Sequence, residues 1–366
     1  MKVRRKSTSS SKVLPTDAEY VYWFEHLDDE QLGKLKTLKQ AVFALSERDG
    51  LMEKDTDFAR YLKARGWDVE KALEMYTNTV KWRSDFGCNS IFDGFDFPEK
   101  REVIQIFPQY YLRTDKFGRP IFINEVGKIS VEKLLKVTTV ERMLQFHVYE
   151  WEKLIREMYP ACSKHVGHNI FQSFSIIDLK GLSYKQFNKT SRTFIQKVTK
   201  LDQEYFPEHL GQMFIVNAPK IFTMMWSVIK LWLDKRTLMK IKVYGSDFKE
   251  KILQYIDPDD LPDTLGGNLV MSDEVRMSNS GPWNQATASG KEGAGGDDAQ
   301  AGRNGSGEAP PVPAATVAAE VDFAKEDASE PPSMAGLSVA SDAAPGDERG
   351  RAASEYYDAQ PTFGSP

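Results

Sequence analysis

Residues 213–245 read MFIVNAPKIFTMMWSVIKLWLDKRTLMKIKVYG. MFIVNAP is a short apolar run closed by a proline, and KIKVYG alternates cationic and apolar side chains; both predict strands. The longer run between them, IFTMMWSVIKLWL at 221–233, predicts a helix whose only polar side chains are Thr223, Ser227 and Lys230. Strand, helix, strand is the unit that builds a parallel sheet. The helix itself is greasy on nearly every side, which an ordinary surface helix is not. At about 20 Å it is too short for a bilayer core of about 30 Å. It is therefore a buried crossover helix, a partner-binding helix, or a helix that alternates between protein and lipid.

The same alternation extends upstream. YYLRTDKFGRPIFINEVG (110–127) predicts a strand, a turn at Asp115–Gly118 and a strand from Pro120 through Asn124. ERMLQFHVYEWEKLIREMY (141–159) predicts a long helix, FQSFSIIDLKG (171–181) a strand, and SRTFIQKVTKL (191–201) another helix. Strands separated by helix-length crossovers give one open, mostly parallel sheet with helices around it. From Asp17 to about Gly87 the pattern is helical instead, with Leu32, Leu35, Leu38 and Val42 at helical spacing. DFARYLKARGWDVEKALEMYTNTVKWRSDF (57–86) predicts two helices joined near Gly66–Asp68, the first capped by Asp55 or Thr56. The fold class is α/β, an all-helical N-terminal unit (16–100) followed by an α/β lobe (101–284).

Both ends differ from this body. MKVRRKSTSSSKVLP (1–15) is basic and Ser-rich, the composition of a transit peptide or, in preference, of a disordered tip that touches an anionic surface. Residues 285–366 are rich in Ala, Gly, Pro and Ser, and predict a disordered acidic tail. That tail holds five Lys/Arg against fourteen Asp/Glu, a balance of −9, so the overall −5 leaves residues 1–284 with 43 against 39, or +4. A mildly basic body favours anionic surfaces without calling for nucleic acid. Two cysteines, Cys88 and Cys162, make no disulfide framework and no Cys-based zinc site. No apolar run reaches the 18–20 residues or so of a transmembrane helix.

Enzyme machinery is not evident. The chain carries no Rossmann glycine fingerprint, no phosphate-binding P-loop and no nucleophile elbow. Of its histidines (His26, His147, His165, His168 and His209), only the last-but-two pair in KHVGHN lies close, with no carboxylate or Cys beside it to complete a metal site. Glu125 and Asp178 read as polar anchors at strand ends. No catalytic residue, metal or cofactor is expected. More unusual is the strand FQSFSII, where Ser173 and Ser175 share a face with Phe171 and Ile177 while Phe174 and Ile176 point the other way. Two hydroxyls on an apolar face either bond to neighbouring backbone or meet the polar head of a ligand. The cationic face of KIKVYG, Lys240, Lys242 and Tyr244, reads simply as solvated.

Taken together, YFPEHLGQMFIVNAP (205–219), LDKRTLMKIKVYGS (233–246) and LPDTLGGNL (261–269) resemble the CRAL-TRIO lipid-binding family. The likeness is greatest to its Sec-fourteen type phosphatidylinositol/phosphatidylcholine transfer proteins. It extends in the same order to TDFARYLKARGWDVEKALEMYTNTVKWR, FPQYYLRTDKFGRPIFINEVG, YPACSKHVGHNIFQSFSIIDLKGLS and SNSGPW, spanning about residues 30–284.

The resemblance implies an α/β lobe with a hydrophobic pocket for one phospholipid and no covalent chemistry. It implies that Arg65, Glu208, Thr237 and Lys240 contact a phosphatidylinositol headgroup, and that Tyr111, Phe122, Trp151, Ser173 and Ser175 serve a phosphatidylcholine headgroup. It also makes 221–233 a gate helix carrying Ile221, Phe222, Met225, Trp226, Ile229, Trp232 and Leu233. The sequence departs from the family pattern at Gly66, where a Lys is expected, and at Phe122 and Trp151, where tyrosines are expected. Those rings keep a π face for a quaternary ammonium but lose the hydroxyl. The expected partners are the two phospholipids, transient contact with a membrane surface, and lipid kinases. The resemblance further implies a cytoplasmic monomer, peripherally associated with Golgi or endosomal membranes, in phosphoinositide signalling and vesicle traffic. A lipid sensor or scaffold that recruits partners through the tail is the alternative.

Overall fold

A computed structural model describes residues 23–284. The basic N-terminus and the acidic tail lie outside the described residues. Three helices form the N-terminal unit: α1 (Asp29–Phe43), α2 (Asp55–Ala64) and α3 (Val69–Phe86). Leu35, Leu38 and Val42 of α1 are buried against Phe58, Leu62 and Tyr76, as their spacing requires. Leu32 is not: it is 48% exposed, because α1 buries a narrower stripe than its apolar residues trace. The cap of α2 also differs from expectation. Lys54 occupies the cap position, Asp55 is already helical, and the side chain of Asp57 accepts from the Lys54 amide. The turn into α3 uses two left-handed residues in succession, Gly66 (φ 63°) and Trp67 (φ 65°).

Short helices α4 (Cys88–Gly94) and α5 (Lys100–Ile106) lead to the sheet. Its strands are β1 (Gln109–Thr114), β2 (Pro120–Asn124), β3 (Ser173–Asp178), β4 (Leu210–Val216) and β5 (Ile241–Val243). They lie in chain order, with β1–β2 antiparallel and β2 through β5 parallel. Parallel strands in chain order, joined by right-handed crossovers, send every crossover helix to the same face. These are α6 (Val131–Val137), α7 (Val140–Lys153) and α8 (Tyr159–Val166), then α9 (Lys189–Tyr205), then α10 (Phe222–Ile229) and α11 (Lys235–Met239). The expected single helix over 141–159 continues to Val166 through a π-helical turn at Leu154–Met158, next to Pro160, which has no amide hydrogen to give.

The opposite face is sealed. Tyr110, Leu112, Ile121, Ile123, Phe174, Ile176, Phe214 and Val216 pack there under Phe248, Ile252, Tyr255, Ile256, Leu261 and Leu265. This layer includes α12 (Lys249–Ile252). The segment after it, α13 (Asp273–Ser278), returns to β1, where the Arg113 amide donates to Ser280 O at 2.8 Å. Trp283 is buried beside Tyr111, Leu154 and Met158.

Buried polar contacts join the helical unit to the lobe. The Arg83 guanidinium on α3 grips the Glu152 carboxylate on α7, Nη2 to Oε2 at 2.8 Å, with Arg156 on the same carboxylate. Arg60 on α2 donates to Glu208 O at 2.8 Å and to Phe171 O. Trp82 stacks on Tyr205, centroids 4.1 Å apart and planes 3° from parallel. A buried ion pair that loses one partner strands the other charge, so these contacts hold the two parts in one arrangement.

Candidate functional site

Between the crossover helices and the unsealed face of the sheet lies a cavity of about 650 Å³. Strand alternation decides which side chains reach it: Tyr111, Phe122, Ser173, Ser175, Met213 and Ile215 face inward, each flanked by neighbours committed to the sealed face. Helices α7, α9 and α10 supply the other walls with Met143, Phe146, Phe194, Val198, Met225 and Ile229. The lining is mostly apolar, with polar groups gathered in two places, the usual design of a ligand site.

The first polar group is an ionic cluster around Glu208. This residue lies three positions past the end of α9, just before β4, in a left-handed conformation (φ 60°), which turns its side chain, 5% exposed, toward the start of β5. Lys240 Nζ lies 2.7 Å from Glu208 Oε2, and Arg236 Nε lies 3.5 Å from Oε1. Arg236 also donates to the carbonyl of Ala64, the last residue of α2, beside Arg65. Asp234 caps α11, taking the Thr237 hydroxyl at 2.7 Å as well as the amides of Arg236 and Thr237. Lys63 stands close by, its Nζ 3.8 Å from the centroid of the Trp23 ring. Burial pulls its pKa down to about 7; the attraction of Glu208 opposes this, and Lys240, Arg236 and Arg60 push it further. Arg65, Glu208, Thr237 and Lys240, the four residues expected at an inositol headgroup, all line the cavity.

The second group is aromatic and hydroxylic. Tyr111 and Phe122 meet with ring centroids 5.1 Å apart, and Trp151 stacks on Phe206 at 4.9 Å. Burial raises the Tyr111 phenol well above its usual pKa, with the neighbouring Tyr159, Glu150 and Asp202 adding to it, so it is a neutral donor at any working pH. The Tyr159 hydroxyl, beside Ser173, donates to His209 O at 3.4 Å. On this strand face, the hydroxyls of both Ser173 and Ser175 stand on the cavity wall. Trp151 does keep a polar contact: its Nε1 donates to Asp202 Oδ1 at 2.8 Å, and His147 Nε2 lies 2.6 Å from the same oxygen.

Glu125 and Asp178 sit at strand ends as anchors. Glu125 accepts from the Tyr110 hydroxyl at 3.0 Å and pairs with Arg276 at 2.9 Å, and Asp178 accepts from Asn217 at 2.8 Å. In the gate segment, Phe222, Met225, Trp226, Ile229 and Leu233 line the cavity; Ile221 and Trp232 do not. Its exposed apolar side chains are Met224, at 50%, and Leu231, at 76%. Arg236, His147 and Asp202 were not singled out from the sequence. The signal for Arg236 was its place in DKRT, beside Thr237; His147 and Asp202 carried none, since only the packing of α7 on α9 brings them together.

Residues 105–267 match the CRAL/TRIO domain. The chain is 41% identical over 268 residues to the SEC14 cytosolic factor of Yarrowia lipolytica, an alignment covering 73% of this chain and 54% of that protein. It is 38% identical over 286 residues to the phosphatidylinositol/phosphatidylcholine transfer protein SFH4 of Arabidopsis thaliana, covering 76% and 46%. It thus spans about half the length of these two relatives. Against the Sec14 cytosolic factor of Schizosaccharomyces pombe the identity is 35% over 260 residues, 71% of this chain and 90% of that protein. A crystal structure of Sfh5 superposes with a TM-score of 0.52 at 18% identity, covering 66% of this chain and 88% of that one, which speaks to the fold alone. With nine-tenths of a relative matched, and a five-stranded lobe closing over an apolar cavity, the chain belongs to the CRAL/TRIO family, among its Sec14-type members.

Proposed function

We propose that this protein exchanges phosphatidylinositol, with phosphatidylcholine as its second ligand, between membranes, holding one lipid at a time in the cavity. The observation that carries this reading is the Glu208–Lys240 pair on the wall of an otherwise apolar cavity. Its carboxylate accepts from ring hydroxyls, while Lys240 and Arg65 meet the phosphate with charge-assisted bonds, joined by the Thr237 hydroxyl once it turns from Asp234. Tyr111, Phe122, Trp151, Ser173 and Ser175 serve the choline headgroup, the rings by cation–π attraction. Relatives whose names state this transfer activity support the reading.

The step is physical rather than covalent. Acyl chains pass from one dry environment to another with little net hydrophobic change, so access is the barrier. Opening of the 221–233 segment supplies that access, during a transient peripheral contact with a membrane surface. In this reading the protein works in the cytoplasm as a monomer, at Golgi or endosomal membranes, and hands lipid to lipid kinases. The N-terminal unit and the lobe act as one lipid-binding body.

The test is transfer of labelled phosphatidylinositol from donor to acceptor vesicles, with mass spectrometry of co-purifying lipid. Phosphatidylinositol that is bound but never moved would make the protein a presenter or scaffold, not an exchanger.

A further inference from the structure

We propose that Arg236 is a specificity-determining cation of the headgroup subsite, reading the phosphate of an inositol-type lipid. The proposal rests on the phosphatidylinositol reading above and adds a residue to it. Arg236 lines the cavity, donates to the Ala64 carbonyl and is ion-paired with Glu208. Its Nε is buried, stands 3.5 Å from Glu208 Oε1, and has no hydrogen-bond partner. A buried, charged N–H without an acceptor is costly, and a ligand oxygen beside it removes that cost.

Charge counting around the cluster points the same way. Arg65, Arg236 and Lys240 bring three full cations and Lys63 a partial one; Glu208 and Asp234 bring two carboxylates, and Asp234 is already spent on capping α11. The Arg65 side chain makes no ion pair among the described residues. The surplus is positive in a partly dry place, so an anion completes the site. A planar guanidinium matches the paired oxygens of a phosphate better than an ammonium does. Position 66 contributes no charge of its own: Gly66 has no atom within 4 Å of where a Cβ would stand. The second cation therefore comes from α11, on the far side of the sequence.

The test uses the full chain and vesicles containing labelled phosphatidylinositol and phosphatidylcholine. Arg236→Gln lowers phosphatidylinositol uptake about tenfold or more and leaves phosphatidylcholine uptake and the melting temperature in place. Arg236→Lys, which keeps the charge but loses the planar fork, falls between Arg236→Gln and the unmodified protein. Unchanged phosphatidylinositol uptake in Arg236→Gln overturns the proposal, as does equal loss of both lipids, which would make Arg236 only a tie between α11 and α2. If the unmodified protein takes up phosphatidylcholine and no phosphatidylinositol, the underlying headgroup reading fails instead, and this proposal with it.

Discussion

A carboxylate shared by two cations, as Glu208 is by Lys240 and Arg236, cannot be removed alone without leaving positive charge stranded. The informative change is therefore double. Glu208→Ala with Lys240→Ala is expected to lower phosphatidylinositol uptake at least tenfold and spare phosphatidylcholine; loss of both lipids would mean a folding defect. Ser173→Ala with Ser175→Ala is expected to do the reverse, since both hydroxyls line the cavity. A third residue acts on stability. His209 is buried against Tyr159, their rings parallel within 2° at 5.8 Å, and burial holds its pKa well below the usual 6.5, helped by Arg60 and Lys240. The unfolded chain takes up a proton on His209 below about pH 6.5 and the folded one does not, so stability falls as pH drops through that value. Melting temperatures between pH 7 and pH 5 should show this slope, and His209→Gln should flatten it. Glu208, Thr237 and Lys240 were named because FPEHLG and DKRTLMK match the family pattern. Arg236 stands inside the same motif, but the likeness gives it no role, and its bond to Ala64 spans 172 residues.

The 221–233 segment is shorter as a helix than its apolar run: α10 covers Phe222–Ile229, and a 3₁₀ turn takes Lys230–Trp232. The thin polar stripe of Thr223, Ser227 and Lys230 is exposed, as read, but so are Met224 and Leu231. Trp226 turns inward, stacking on Phe222 at 5.9 Å, so it tests the cavity rather than the membrane. Inserting Met224 and Leu231 into a bilayer is worth about 1.5–3 kcal/mol each. Met224→Asp with Leu231→Asp should therefore weaken vesicle binding by tenfold or more in a flotation assay and leave the melting temperature unchanged. Unaltered flotation would leave α10 as a crossover helix and nothing more. Periodicity identified this element and its neighbours. It did not say which apolar side chain faces which surface, because a helix greasy all round has no periodic signal to read.

For the molecule as a whole, the alternation of strands and helices made the sheet and its mixed pairing legible, since chain connectivity and handedness leave few arrangements. The cavity was not legible that way. A void and a filled core are lined by the same residue types, and only resemblance pointed to a pocket. Folding also depends on the C-terminal return: Trp283 is 5% exposed under the Tyr111 cluster, its Nε1 donating to Asn279 O at 2.6 Å. A chain ending at Asn284 should keep its unfolding midpoint and lipid uptake, whereas one ending at Asn279 should lose about 3–5 kcal/mol in urea titration. Finally, the sheet separates two kinds of inheritance. Odd positions of β3 and β4 (Ser173, Ser175, Met213, Ile215) line the cavity; even positions (Phe174, Ile176, Phe214, Val216) hold the body together. On β2 the parity reverses, with Phe122 on the cavity side and Ile121 and Ile123 on the other. Substitutions at alternate positions of one strand can therefore reshape the cavity, while the positions between them answer to packing on the other face.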